Sequence, residues 1–333
     1  MDTAVYEDEA AARYRAAEAA LWRHYGAAPD ERVVELGPLG LRVRVQTVGR
    51  GAGEGEPPVL YVHGGPNAGS TFAPLAPAMA GRRCLILDRP GCGLSGPVDY
   101  DALPLPRLAA ETVAGTLDAL GVERADVVGS SFGGAWALWF ALAHPQRVNR
   151  LVLLGAPALV PGMLVPRFMR LMLTPLLGPL ISRLPPSAGG ARWTHRQMGH
   201  SAATVEAGLP SVYWEWGVRL MADTPTMASD LRAIRTSVSR GRVRPEVALT
   251  AGQLRSVAAP ALLYWGDADT FGGAGQVRAT AGLLPGAALH LVRGAGHLPW
   301  LDDPARCAAA VTAFLDAPRR AAAGAAPERV VAA

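Results

Sequence analysis

Short, continuous apolar runs separated by helix-compatible segments restrict the fold of this chain more than any other feature. Strands exposed on one face alternate apolar and polar residues, whereas continuous apolar runs suit strands buried on both faces of a parallel sheet. The sequence therefore predicts an α/β protein with a mostly parallel, doubly wound sheet. The runs lie at residues 59–62, 84–87, 125–128, 151–154, 261–265 and 289–292.

The break between the fourth and fifth runs spans about a hundred residues, far more than an ordinary connection. It contains helical stretches that carry Met and Trp, so residues 159–250 are predicted to form a helical lid. The lid would be inserted into a core made of residues 32–158 and 251–317. Residues 1–31 are expected to form a helical extension, and the Ala/Arg/Pro-rich residues 318–333 a disordered tail.

Charge and cysteine usage exclude several classes of protein. The formal net charge is +4, and every basic residue is an arginine. These arginines are scattered, whereas nucleic-acid binders usually show a basic stripe. Prolines and arginines interrupt the most apolar stretch, residues 159–181, which disfavours a membrane span. The three cysteines show no CxxC pair and no metal-ligand spacing, and no secretory signal is visible.

These observations predict a cytoplasmic protein that acts on a small-molecule substrate. No cofactor and no metal are expected, nor are a nucleic-acid partner or a membrane span. The sequence does not indicate an oligomeric state.

Residues 129–133 have the pattern G-x-S-x-G between an apolar strand and a helix-compatible segment. A sharp strand-to-helix turn of this kind strains the central serine and exposes its hydroxyl group, while the flanking glycines leave room for the crowded turn. Ser131 is therefore the predicted nucleophile. The alternative interpretation is a Ser/Gly-rich helix N-cap.

A glycine-rich turn, His63-Gly64-Gly65-Pro66, ends the run at residues 59–62. Such a turn can direct a backbone N–H group toward a developing oxyanion, opposite the N–H of the residue after the nucleophile. Gly65 and Phe132 are therefore the predicted oxyanion-hole donors. His63 is expected to brace the loop.

An acid and a histidine are expected after later strands, in the order Ser, Asp, His. The loop after the strand at residues 261–265 offers two carboxylates, Asp267 and Asp269. His297 follows the last strand in a glycine-flanked loop, and it is the predicted base. Its alternative role is that of a structural histidine.

Two other residues are candidates by type. Asp88 follows a strand, but it precedes the nucleophile, and the order of the triad disfavours it as the acid. Cys92 lies in the same loop with no histidine or helix pattern beside it, so a small loop residue is the preferred interpretation.

From about residue 33 to residue 315 the chain resembles the α/β-hydrolase superfamily, in the serine-nucleophile branch that carries a helical lid after the sixth strand. The resemblance implies that Asp269 is the catalytic acid, since the family pattern is G-x-x-D, with Asp267 as a minority candidate. The motifs that carry it are HGGP at 63–66, DRPGCGLS at 88–95, GSSFGG at 129–134, GDAD at 266–269 and GHLPWLDDP at 296–304.

The resemblance also separates subfamilies. Haloalkane dehalogenases and related epoxide hydrolases use an aspartate nucleophile, which Ser131 disfavours. Proline iminopeptidases share HGGP but usually have a tryptophan where this chain has Phe132. Hydrolases that cleave carbon–carbon bonds in aromatic ring-fission products often have a tryptophan where this chain has Leu298.

The resulting prediction is a hydrolase of a carboxylic ester or similar acyl compound that acts through an acyl-enzyme. The apolar residues of segment 163–181 predict a lipophilic substrate. Three alternatives stay open: a carbon–carbon bond hydrolase, an acyltransferase with the same triad, and a non-catalytic ligand-binding member of the fold.

Overall fold

A computed structural model describes residues 6, 8–49, 56–79, 81–172, 174, 184–239, 242–318 and 328–331. Nine of its strands form a single sheet, and the remaining two, Val238–Ser239 and Arg242–Val243, form a separate antiparallel hairpin. In chain order the strands are β1 (Asp30–Leu36), β2 (Leu41–Val48), β3 (Val59–Val62), β4 (Cys84–Leu87), β5 (Ala125–Ser130), β6 (Val148–Leu154), β7 (Val238–Ser239), β8 (Arg242–Val243), β9 (Ala261–Gly266), β10 (Ala288–Val292) and β11 (Glu328–Val331).

The sheet has the order β1-β2-β4-β3-β5-β6-β9-β10-β11. Strands β1, β2 and β4 pair antiparallel, and the other neighbouring pairs are parallel. Every residue of β3, β4, β5 and β9 is buried, as expected for strands covered on both faces. The predicted mostly parallel, doubly wound sheet is confirmed.

Helices cover both faces of the sheet, and successive strand residues belong to opposite faces. Leu60 and Val62 belong to the buried apolar cluster that includes the helices Leu105–Ala119 and Phe132–Ala143, whereas Val59 and Tyr61 belong to the cluster that includes the helices Glu9–His24 and Pro304–Asp316. In chain order the helices are α1 (Glu9–His24), α2 (Leu105–Ala119), α3 (Phe132–Ala143), α4 (Arg167–Met172), α5 (Ala188–Gln197), α6 (Ser211–Asp223), α7 (Thr226–Ser237), α8 (Ala251–Arg255), α9 (Ala274–Leu283) and α10 (Pro304–Asp316).

The chain between β6 and β9 carries α4 to α8, a π-helical turn at Ala203–Gly208 and the hairpin β7–β8. The name "the insertion" is used for the described residues between these two strands. Of the predicted apolar segment 163–181, α4 covers 167–172, and residues 173 and 175–181 lie outside the described residues. The limits of a lid at 159–250 and of the other units remain predictions.

Helix α1 connects the start of the chain to both the core and the insertion. Its Tyr14 hydroxyl accepts a hydrogen bond from the Trp216 indole N–H of α6 at 3.3 Å. Its buried Glu18 forms an ion pair with Arg44 of β2. Because Glu18 and Arg44 are both buried, each compensates for the cost of removing the other's charge from water.

Four residues within the predicted tail 318–333 form a strand, and the extent of that tail stays a prediction. Glu328–Val331 form β11, which pairs parallel with β10 from Leu289 to Val292. The sequence Glu-Arg-Val-Val contains two β-branched residues, and the edge of β10 offers unpaired backbone groups to such a segment. Propensity and edge pairing therefore outweigh the polar, alanine-rich composition of the preceding residues.

Candidate active site

Ser131 lies at the sharp junction between β5 and α3, with φ 52° and ψ −119°. A non-glycine residue at positive φ costs on the order of 1–3 kcal/mol and requires surroundings that hold it there. Glycines surround it because there is no space for side chains. A Cβ atom on Gly133 would lie 2.1 Å from the carbonyl oxygen of Val62, and one on Gly129 would lie 2.6 Å from the carbonyl oxygen of Gly133.

His297 and Asp269 form a buried hydrogen-bonded pair after β10 and β9. The Nδ1 atom of His297 lies 3.0 Å and 2.9 Å from the two carboxylate oxygens of Asp269. These oxygens also accept the backbone N–H of Phe271 at 2.8 Å and that of Ala156 at 2.9 Å. A carboxylate held in this way keeps the proton of the imidazole on Nδ1, which leaves Nε2 free to accept one.

The loop after β6 connects these residues. Its Ala156 N–H binds Asp269, and its Ala158 N–H donates to the backbone carbonyl of Ser131 at 2.9 Å. The ring of Phe271 stacks on the His297 ring with centroids 4.0 Å apart. The structure thus brings the predicted nucleophile, acid and histidine to the carboxyl ends of β5, β9 and β10, where parallel sheets place their binding sites.

An apolar cavity of about 60 Å³ lies between this edge of the sheet and the insertion. The predicted nucleophile and both predicted oxyanion donors line it. Its polar side chains other than Ser131 have partners: Ser237 donates to the carbonyl of Ala233 at 2.7 Å, and Asp230 accepts from Arg89 at 2.8 Å. The full lining is Gly65, Ser131, Phe132, Ala158, Leu159, Met163, Leu164, Val165, Met169, Asp230, Ile234, Ser237, Val238 and Phe271.

The HGGP loop, residues 63–66, is fixed by hydrogen bonds of His63 and Arg89. Nδ1–H of His63 donates to the carbonyl of Gly64 at 2.7 Å, and Nε2 accepts the Arg89 backbone N–H at 3.0 Å. Burial, together with the Arg89 charge, holds the pKa of His63 well below its ordinary value. A neutral ring with these two bonds agrees with the predicted bracing role.

Sequence reasoning missed Arg89 and Asp230. The Arg89 guanidinium donates to the carbonyls of His63 and Gly64, both at 3.0 Å, and to Asp230 of α7. It also lies over the Phe132 ring, 5.0 Å from the centroid. The sequence could have indicated a role for Arg89, because it is a charged residue within a loop of small residues at 88–95. No sequence pattern indicated a role for Asp230, because an acidic residue on an amphipathic helix ordinarily faces solvent.

Two other carboxylates and one thiol could by residue type serve as a catalytic acid or nucleophile. Both carboxylates bind other groups of the protein, and the thiol is unreactive. Asp267 accepts the Gly294 N–H at 2.6 Å on an exposed part of the loop. Asp88 forms an ion pair with Arg44 at 3.1 Å. Burial raises the pKa of the Cys92 thiol well above its ordinary value, which suppresses the nucleophilic thiolate.

Metal-ligand clusters and membrane-spanning helices are both absent from the described part of the chain. Its residues include no group of three or more His, Cys, Asp or Glu side chains arranged to hold a metal ion. Among the same residues, no helix is both long and apolar enough to cross a bilayer.

A strained serine between a strand and a helix, facing a cavity at the carboxyl edge of a mostly parallel sheet, defines the α/β-hydrolase class. A family model described as "alpha/beta hydrolase fold" matches residues 57–304. The chain belongs to this family, and the resemblance inferred from its motifs is confirmed.

Two relatives of this chain have different named activities. A 2-hydroxy-6-oxo-6-phenylhexa-2,4-dienoate hydrolase from Comamonas testosteroni is 41% identical over 108 residues, which are 31% of this chain and 37% of that hydrolase. The match therefore spans little more than a third of that relative's length. A pimeloyl-[acyl-carrier protein] methyl ester esterase from Chromobacterium violaceum is 29% identical over 275 residues, 78% of this chain and 92% of that esterase.

Solved structures agree on the fold. A carboxylesterase from Bacillus subtilis superimposes with a TM-score of 0.73 at 20% identity, covering 93% of this chain and 99% of that one. A meta-cleavage product hydrolase from Pseudomonas fluorescens superimposes with a TM-score of 0.68 at 19% identity, covering 87% and 97%. At these identities the likeness concerns the fold alone.

Proposed function

We propose that the protein is a serine hydrolase that cleaves a carboxylic ester or similar acyl compound, with Ser131, His297 and Asp269 as its catalytic triad. The observation that carries the proposal is the buried hydrogen-bonded pair of His297 and Asp269 at the same sheet edge as the strained Ser131. Binding alone requires neither a strained serine nor an oriented imidazole, so this arrangement favours an enzyme over a ligand-binding protein.

The proposed reaction proceeds through an acyl-enzyme. His297 Nε2 takes the proton of the Ser131 hydroxyl while the oxygen attacks the substrate carbonyl carbon, and Asp269 stabilises the imidazolium that forms. The backbone N–H groups of Gly65 and Phe132 bind the oxyanion. Among the described residues no acceptor takes either N–H, so both are available to the substrate. The imidazolium protonates the leaving alcohol, and water then releases the acid by the same route.

The cavity favours a lipophilic acyl group. Apart from Ser131, its polar side chains are hydrogen-bonded within the protein, and no arginine or histidine side chain lines its described part. An apolar group gains about 0.8 kcal/mol per buried methylene there, whereas an unpaired charge would lose its hydration. In this proposal the insertion is the lid, and its Met163, Leu164 and Met169 cover the serine.

A carbon–carbon bond hydrolase is the second candidate, favoured by the 41% identity to the Comamonas dienoate hydrolase. A dienoate carries a carboxylate, and the described lining offers no cationic side chain to pair with it. The apolar lining therefore supports an uncharged ester over this substrate. The cytoplasmic setting is likewise proposed, since all three cysteines are buried free thiols.

One experiment tests the proposal. One sample of purified protein is treated with a fluorophosphonate probe, and a separate, untreated sample is assayed on p-nitrophenyl esters, a thioester, an amide and a dienoate ring-fission product. We expect labelling at Ser131, loss of labelling in Ser131→Ala, and turnover of esters above the other compounds. Absence of labelling in the wild type would contradict a serine hydrolase, and preferred turnover of the dienoate would favour the second candidate.

A further inference from the structure

A buried ion pair joins the insertion to the loop that carries the proposed oxyanion donor Gly65. Arg89, after β4, donates from Nη2 to Oδ1 of Asp230 on α7 at 2.8 Å, across 141 residues of sequence. Arg89 is 0% exposed and Asp230 is 1% exposed. Both charges are therefore withdrawn from water, and each depends on the other for compensation.

Arg89 and His63 together determine where the N–H of Gly65 points, because both donate to the carbonyl oxygen of Gly64. The Nη2 atom of Arg89 donates to this oxygen at 3.0 Å. That carbonyl and the Gly65 N–H belong to one planar trans peptide, in which C=O and N–H point in opposite directions. Holding the oxygen against Arg89 therefore directs the Gly65 N–H away from the guanidinium. A second bond, from Nε to the carbonyl of His63 at 3.0 Å, prevents the preceding peptide from rotating.

Asp230 contacts the same loop at Gly65. A Cβ atom on Gly65 would lie 3.0 Å from the carboxyl carbon of Asp230 and 3.0 Å from each of its oxygens. The carboxylate thus stands in contact with Gly65, and Arg89 touches the peptide just before it. Burial raises the pKa of Asp230, and Arg89 opposes that effect.

We propose that Arg89 and Asp230 are positioning residues for the oxyanion hole and that their ion pair couples the placement of α7 to the direction of the Gly65 N–H. This inference rests on the proposed function. The pair also keeps the site electrically balanced, because an uncompensated carboxylate beside Gly65 would oppose the negative charge that develops on the substrate oxygen.

A role in positioning differs from one in stability in a measurable way. Replacing a buried ion pair with apolar residues of similar volume is often neutral for stability. The double variant Arg89→Met/Asp230→Leu therefore separates the two roles. It removes both charges and fills the space with apolar side chains, but it also removes one of the two donors that hold the Gly64 carbonyl and leaves the other, Nδ1–H of His63, in place.

The test compares kcat and KM on a p-nitrophenyl ester for Asp230→Asn, for Arg89→Met/Asp230→Leu and for Asp223→Asn. Asp223 is the control, because it is a helix carboxylate of the insertion paired with Arg13 at 2.8 Å, away from the HGGP loop. We expect Asp230→Asn and the double variant to lower kcat by ~10–100-fold, less than the ~10²–10³-fold for outright removal of an oxyanion donor because the Gly65 N–H is misdirected and not lost, with KM within about twofold. Asp223→Asn should match the wild type. Near-wild-type kcat in the double variant would overturn the proposal.

Failure of the proposed function gives a different result. If the wild type neither reacts with fluorophosphonate nor turns over any ester, the positioning role is read from amide hydrogen exchange at residues 64–69. Faster exchange there in Asp230→Asn, with α10 unchanged, supports the coupling of α7 to the loop. Unchanged exchange at residues 64–69 overturns it.

Discussion

Asparagine in place of Asp269 tests the acid of the triad and has two separable consequences. Each carboxylate oxygen of Asp269 faces the His297 Nδ1 and one backbone N–H: Phe271 at Oδ1 and Ala156 at Oδ2. An asparagine has one acceptor oxygen and one NH₂ group. In either orientation its NH₂ group therefore faces a backbone donor.

The magnitudes follow from this conflict. Leaving one buried N–H unsatisfied costs about 1–3 kcal/mol, so Asp269→Asn should lower the free energy of unfolding by that amount. The neutral amide cannot stabilise the imidazolium and permits the wrong tautomer, so kcat should fall by ~10³–10⁴. Asp267→Asn is the matched control, because its retained carbonyl oxygen can still accept the Gly294 N–H.

The assay is ester hydrolysis under saturating substrate, together with urea unfolding of each variant. We expect a large loss of kcat and a measurable loss of stability in Asp269→Asn, and near-wild-type values in Asp267→Asn. A loss of activity confined to Asp267→Asn would show that the wrong carboxylate has been assigned to the triad.

Four further outcomes are expected. Ser131→Ala and His297→Ala should each lower kcat by at least ~10³, with the double variant little worse, and additive losses would contradict a triad acting as a unit. On p-nitrophenyl esters from acetate upward, kcat/KM should rise by up to about fourfold per methylene until the cavity fills, whereas a flat series would contradict a lipophilic pocket. Gly133→Ala should not fold to the native elbow, since its Cβ would meet the Val62 carbonyl at 2.1 Å, and a soluble, active variant in circular dichroism and ester assays would refute this. Burial lowers the pKa of His195 to about 4 from an ordinary 6.5, so below about pH 6.5 the unfolded chain takes up a proton that the folded protein does not. The free energy of unfolding should therefore fall as the pH is lowered from about 6.5 toward 4, and urea titrations of His195→Gln should show a weaker pH dependence over this range than the wild type.

The features predicted well from sequence depend on short stretches of chain. Continuous apolar runs identify buried strands because burial on both faces leaves no position for a polar residue. The elbow at Ser131 is readable because Gly129 and Gly133 are required by contacts within a few residues or with the neighbouring strand. The roles proposed for Asp269 and His297 are likewise suggested by their order and by the strands that precede them.

The features that sequence reasoning missed depend on contacts between distant segments. Pairing of Glu328–Val331 with β10 requires knowing which edge of the sheet is open. The loop after β6 carries no acid, base or nucleophile, yet its backbone N–H of Ala156 binds Asp269 and that of Ala158 binds Ser131. A backbone donor leaves no trace in residue type, so no pattern indicates it.

The pair of Arg89 and Asp230 shows how this limit affects function. The proposed chemistry uses groups whose positions the sheet edge determines, but the direction of the Gly65 N–H depends on a carboxylate contributed by the insertion. If the insertion only covered the cavity, any apolar residue could replace another at the positions that line it. Because the insertion also positions the loop that carries Gly65, it requires a carboxylate at the buried position of Asp230 in α7. We therefore expect substitutions at Ile234 and Val238, which line the cavity, to alter the preferred acyl chain, and substitutions at Asp230 to lower kcat for every ester. If substitutions at Asp230, Ile234 and Val238 all lowered kcat equally for every ester, this division of roles would be contradicted.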